Sequence, residues 1–257
     1  MKTRHFSRRA FMNYSFWGLG TTVLPTPFLI PQASPHYGEG LARSDATAFI
    51  CESGNLGHDP VFTLGMLLVP NVENFEEYLQ QLRLSLHYFP RLSYSNNDYY
   101  QLPFAKAAIN WLFQESKARF QVMAFTESIE SEHPQFPQAP SRWQLLKYKQ
   151  NYYDQLLEKA AIQNSMVYVK YQSPLGPSPN YGQHFFKQSN CYYQALDTRA
   201  SNALQLSSLL TGCVAAAYEN RRVGPVKQSL IEHLKAVLES NNLKPELRWK
   251  DRFVFHT

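Results

Sequence analysis

Side chains able to do chemistry are few and scattered in this 257-residue sequence. Cys51 ends an apolar run, beside Glu52, and a thiol of lowered pKa is an effective nucleophile. A cysteine in an apolar strand is more often a small core residue, and we read Cys51 that way. Cys213, within the most apolar stretch of the chain, reads as core for the same reason. In an oxidising compartment two of Cys51, Cys191 and Cys213 can pair, and spacing leaves open which. The eight histidines, among them His58, His87, His133 and His184, show no His-x-x-x-His spacing, which disfavours a zinc site. The doublets Tyr88-Phe89, Tyr99-Tyr100, Tyr152-Tyr153, Phe185-Phe186 and Tyr192-Tyr193 offer rings that can stack on bases or sugars. Adjacent residues point in different directions, so each doublet is expected to bury one member and expose the other. Arg221-Arg222 could touch phosphate, but positive charge is also favoured at a helix C-terminus, and we prefer that reading.

The elements that must position these residues follow from periodicity and turn chemistry. Thr47–Glu52 and Val61–Val69 are apolar runs around a cluster dense in turn formers, Ser53-Gly54-Asn55-Leu56-Gly57-His58-Asp59-Pro60, and predict an antiparallel hairpin. Phe75, Tyr78, Leu79, Leu82, Leu86 and Phe89 recur at helical spacing; Asn74 with Glu77 predicts the cap, and Pro90 the stop. A second helix is expected over Leu102–Ser116 and a strand over Arg119–Thr126. Residues Glu130–Pro140 read as a loop or lid. Ser141 is the expected cap of a helix Arg142–Gln163, with a strand at Met166–Tyr171 and a break at Pro174–Pro179. A short helical piece near Gln183–Gln188 and a strand Cys191–Leu196 lead to Asp197. Ser201–Asn220 is apolar all round, the mark of a buried helix. Gly224-Pro225 separates it from a helix Val226–Ser240, and the tail reads as an edge strand or coil.

Two segments carry a family resemblance. Phe49-Ile50-Cys51-Glu52-Ser53-Gly54-Asn55 is similar to a hydrophobic-Asp-Glu-Ser-Gly opening, and Ser201 to Gly212 is similar to a closing Leu-Gln-Leu-Ala-Asp-Leu-Leu-Thr-Gly helix. With the order of elements between them, the chain from about Thr47 to Glu219 resembles the bacterial and phage family called domain of unknown function 3800. That resemblance implies a ribonuclease H-like α/β fold: a mixed sheet opened by an antiparallel hairpin and flanked by helices. Nucleases of that fold hold two Mg²⁺ on carboxylates at strand ends and on a late helix. Here Cys51 stands for the first Asp and Ser208 for the Asp of the closing helix, while Val169-Lys170-Tyr171 offers no carboxylate. Glu52 remains, Asp197 matches the acidic residue before the closing helix, and Glu127 can be added at the end of the third strand. A soft thiol and a neutral hydroxyl do not replace two carboxylates, and a lysine repels metal. The lead expectation is therefore a catalytically degenerate domain acting in binding or interaction. The alternatives are a divergent metal-dependent nuclease or phosphodiesterase using Glu52 and Asp197 with Mg²⁺ or Mn²⁺, and a periplasmic glycan- or envelope-binding module with an aromatic surface.

The N-terminus reads as an address. Lys2, Arg4, Arg8 and Arg9 precede any acidic residue, and Ser7-Arg8-Arg9-Ala10-Phe11-Met12 resembles the twin-arginine export signal. The weakly apolar run Phe16–Ile30, broken by Gly and Pro, is short of a bilayer span. Gly40-Leu41-Ala42 suits a peptidase, so residues 1–42 are expected to be a signal and residues 43–257 a single domain. The expectation is a periplasmic or exported protein that meets the twin-arginine machinery, with a cytoplasmic protein bearing a basic tail as the alternative. The composition has no fixed repeat, sustained heptad or roughly 20-residue apolar run, against a solenoid, coiled coil or multi-span membrane protein. Its +5 charge suggests nucleic acid, but residues 1–42 hold four basic residues against Glu39 alone. Without them, 25 basic against 20 acidic becomes 21 against 19, and +5 becomes +2. Net charge then makes no strong case for nucleic acid. A protein or glycan partner fits the shortage of charge and surplus of Tyr and Phe better.

Overall fold

Apolar residues dominate the first two strands, as they do where both faces of a sheet are covered. In the computed structural model, which describes residues 46–56, 59–126, 142–160, 166–170 and 191–256, these strands are β1 (Thr47–Ser53) and β2 (Phe62–Val69). They pair antiparallel with Ile50 opposite Met66, and Gly54 turns the chain out of β1 at φ +84°, a conformation that suits glycine. β3 (Arg119–Phe125) lies antiparallel on β2. β4 (Met166–Lys170) adds parallel to β1, and β5 (Tyr192–Leu196) parallel to β4. The tail supplies β6 (Arg248–Trp249) and β7 (Phe253–His256): β7 runs parallel to β3, and β6 forms the edge. The order is β5-β4-β1-β2-β3-β7-β6. A three-stranded meander with two strands added parallel to its first member is the ribonuclease H-like arrangement.

Helices cover both faces because alternate residues of each strand point opposite ways. On one face Ala48, Ile50, Leu64, Met66, Met123 and Val167 meet Tyr152, Tyr153, Leu156 and Leu157 of α3 (Arg142–Lys159). On the other, Phe49, Cys51, Leu67, Phe120, Val122, Phe253 and Phe255 share a core with α1 (Val72–Ser85), α2 (Gln101–Gln114), α4 (Asn202–Tyr218) and α5 (Pro225–Val237). Nearly every residue from Ala203 to Ala216 is buried, as a helix apolar all round requires. All described residues belong to the unit Leu41–Thr257. Among them no helix is long and apolar enough to cross a membrane.

Several expected boundaries are corrected. The cap of α1 is Asn71, whose Oδ1 accepts the N–H of Asn74 at 3.0 Å, so Asn74 is not the cap but a first-turn donor that the cap satisfies. That helix stops at Ser85, ahead of Pro90, because His87 takes φ +51°. α5 ends at Val237, with Glu239 also left-handed. The signal positions Arg8, Arg9 and Phe11, the region 130–140, Glu127, His58, His133, His184 and Phe185-Phe186 lie outside the described residues.

Candidate strand-end site

Three parallel strands, β1, β4 and β5, carry their C-terminal ends to one edge of the sheet. Ile50 pairs with Val169 and Val169 with Ala195, so Glu52 and Asp197 each sit two residues beyond one shared row. They are two strands apart, about 10 Å at strand spacing. The fold thus brings to one end two of the three carboxylates marked out from sequence, and then gives them different partners.

Glu52 lies on the α3 face. Its Oε2 is 2.7 Å from the Lys149 ammonium and its Oε1 accepts the Tyr153 hydroxyl at 2.8 Å. Lys149 and Tyr153 are one turn apart on α3, so both reach the same carboxylate. The ammonium also stands 5.5 Å from the Phe62 ring. The glutamate and lysine side chains are 10% and 16% exposed, so this is a largely dry pair. Asp197 is exposed, and its Oδ1 accepts the N–H of Arg199, capping the short 3-10 turn Thr198–Ala200. Cys51 points to the opposite face, fully buried, its thiol 3.4 Å from the carbonyl of Leu204 on α4. Ser208 lies one turn beyond Leu204, half-buried.

The closing motif is packing chemistry as it stands here. Ser201 caps α4 by accepting the N–H of Leu204 at 3.1 Å, and donates to Glu76 Oε1 at 2.7 Å. The Glu76 carboxylate also accepts the N–H groups of Asn202 and Ala203, satisfying donors that a helix start leaves orphaned. From the same helix as Glu76, buried Arg83 donates to Asn202 Oδ1 at 2.7 Å and Gln205 Oε1 at 2.8 Å. Burial pushes the Arg83 pKa down, opposed by the charges of Tyr88 and Glu76. Further along, Ser207 donates to the Phe49 carbonyl and Thr211 to that of Ser207. Gly212 leaves room for the Tyr94 ring, which an added Cβ would strike. Cys213 is wholly buried, and desolvation pushes its thiol up, away from thiolate chemistry.

Sequence reasoning missed Lys149, Glu76 and Arg83, and took Tyr153 only as half of a doublet. The Lys-x-x-x-Tyr spacing on a helix was the readable signal for the first pair. The doublet rule holds at Tyr88-Phe89, one buried and one exposed, and fails twice. Tyr152 and Tyr153 are both buried, because neighbours on a helix are about 100° apart and both fit a wide apolar stripe. Tyr99 and Tyr100 are both exposed, since they precede α2 in a turn and no stripe claims them. The side chains of Tyr192-Tyr193 lie outside the described residues. Arg221 forms an ion pair with Glu219 at 2.6 Å.

The two-ion centre of ribonuclease H-like nucleases does not fit these residues. Of the ligand positions that the resemblance implies, Cys51 is a buried thiol engaged with a carbonyl and Ser208 is neutral, while Glu52 already faces an ammonium. Among the described residues no group of three or more His, Cys, Asp or Glu is arranged to hold a metal ion. No protein-family model and no curated protein matches the sequence. Solved structures similar to the chain include one from the complex of PCNA with ribonuclease HII of Archaeoglobus fulgidus. It is 9% identical over 74% of this chain and 89% of that one, with a TM-score of 0.47. Ribonuclease H2 from Pyrococcus horikoshii OT3 is 11% identical over 74% of this chain and 99% of its own, with a TM-score of 0.43. The protein is an α/β protein, a seven-stranded mixed sheet flanked by helices, whose order β3-β2-β1-β4-β5 is the one expected of a ribonuclease H-like fold.

Proposed function

We propose that this chain is an exported, catalytically degenerate relative of the domain of unknown function 3800 family that acts in binding or interaction. The observation that carries the reading is the Lys149–Glu52 pair at 2.7 Å, which sets a fixed cation against the one carboxylate left in the opening motif. An ion needs negative ligands, and an ammonium at that distance cancels one. The buried Cys51 thiol and Ser208 add no charge. Export is supported by Arg8-Arg9 and Phe11 in the twin-arginine-like segment.

Single- and double-stranded RNA, DNA and hybrid substrates should survive incubation with the purified protein in Mg²⁺ or Mn²⁺. Glu52→Ala and Asp197→Ala should behave as the parent does. Cleavage by the parent that is lost in both variants would establish instead the divergent nuclease, the reading favoured by the shared row of Glu52 and Asp197. For export, Arg8→Lys with Arg9→Lys should leave the protein in the cytoplasmic fraction; an unchanged distribution defeats that part of the proposal.

A further inference from the structure

On the α3 side of the sheet the described core takes residues from β1, β2, β3 and β4 and none from β6 or β7. The face beyond β3 carries a cationic set. Arg248 pairs with Val254, and Val254 with Gln121, so these three form one row across β6, β7 and β3. Arg119 lies two residues before Gln121 and His256 two after Val254, on the same face, because Phe120, Val122, Phe253 and Phe255 turn to the other core. At strand spacing, Arg119, Arg248 and His256 each have their backbone within roughly 5–7 Å of the Gln121–Val254 pair. The His256 ring leans back over that row, 2.7 Å from Gln121 Oε1. Lys159, at the end of α3, adds to the set: burial first, then the charges of Lys159 and Arg248, lower the His256 pKa.

Arg119 and Arg248 are exposed, and neither forms an ion pair or a side-chain hydrogen bond among the described residues. Glu246, two residues before Arg248, is an acidic neighbour, at a point where the chain turns out of the strand at φ +75°. The β6–β7 turn adds Lys250 and Asp251, which cancel. Arg119, Lys159 and Arg248 against Glu246 leave an excess of two positive charges with His256 neutral. Cations gathered on one face repel, and an anion among them relieves that repulsion. They also approach from different sides: Arg119 along β3, Arg248 from the β6 edge, Lys159 from the helix. A carboxylate offers two oxygens in one plane, whereas a phosphoryl group offers three around a tetrahedron, and the guanidinium fork matches it bidentately.

We propose that this face of β3, β7 and β6 binds a phosphoryl group over the Gln121–Val254 pair, held by Arg119 and Arg248 with His256 beside it. The proposal uses none of the strand-end residues and stands or falls apart from the reading of that site. The probes are inorganic phosphate and ribose 5-phosphate, titrated calorimetrically into the full chain in chloride buffer of matched ionic strength. One site with a dissociation constant below about 1 mM is expected for at least one of them. Equal affinities assign the free ion, and tighter binding of the ester assigns a phosphorylated small molecule. Arg119→Gln and Arg248→Gln should each weaken binding at least about fivefold, with unchanged circular dichroism because both side chains are exposed, while Lys227→Gln on α5 should leave it as it is. In NMR spectra the His256 ring signals, assigned by their loss in His256→Gln, should move when the same probe is added. No binding of either probe up to about 10 mM overturns the proposal. So does binding that both arginine variants leave intact, which would place the anion elsewhere. If an arginine variant unfolds, the His256 signals decide: a ring that stays unshifted while the parent binds phosphate overturns the assignment.

Discussion

Glu52 holds a lysine at 2.7 Å and a tyrosine hydroxyl at 2.8 Å in a space with little solvent. Its charge is matched locally, so removing one partner costs more than the pair contributes, because the survivor is left buried and uncompensated. Lys149→Met should lower stability by about 1–3 kcal/mol, read from urea denaturation. Glu52→Gln combined with Lys149→Met should lose less than the two single changes together. Additive losses would mean that the two side chains do not interact in solution. Neither effect depends on added divalent ions if the ammonium is the counter-charge of Glu52.

At the scale of elements, the beginning of α4 is fastened from several sides. Glu76 and Arg83 reach it from α1, Ser201 caps it, and the Cys51 thiol meets the Leu204 carbonyl. This fastening holds the closing helix against the end of β1, where the strand-end residues gather. Ser201→Ala removes both the cap and a donor to Glu76, and should cost about 1 kcal/mol or somewhat more. Glu76→Gln should also destabilise, since a neutral amide serves the helix dipole less well and cannot accept three bonds on two oxygens. The check is the urea midpoint of each variant with an unchanged slope, which separates lost stability from a changed denatured state.

At the scale of the whole molecule, two half-buried histidines join elements on the β7 side of the sheet. His256 on β7 lies 2.7 Å from Gln121 Oε1 on β3, and His233 on α5 lies 3.2 Å from the Lys106 carbonyl on α2. Burial lowers both pKa values from 6.5; the charges of Lys159 and Arg248 add to this at His256, while at His233 the hydrogen bond to the Lys106 carbonyl opposes it and the Lys106 charge adds to it. The unfolded chain therefore takes up these protons first as pH falls. The stability contributed is fully present above about pH 6.5 and is lost as pH drops through the lower folded values. The denaturation midpoint should be flat near pH 7–8 and decline below about pH 6. His233→Gln with His256→Gln should remove much of the decline above the carboxylate range, and an unchanged profile would show that other groups set it.

Local features are legible in the residues alone. The hairpin is legible in two apolar runs around a turn cluster, and the buried helix in the unbroken apolar character from Ala203 to Ala216, because burial on all sides leaves no polar stripe to interrupt it. That Cys51 and Ser208 are not carboxylates is legible too, as a matter of residue identity. Sequence did not show that α1 stops at Ser85, since the left-handed turn at His87 carries no glycine, nor that Phe253–His256 is an inner strand, since four residues cannot signal what they pair with. What surrounds Glu52 is set by long-range packing. Its partner Lys149 lies 97 residues away, and the closeness of the two follows from packing α3 on the β1 face, a contact that no local pattern encodes.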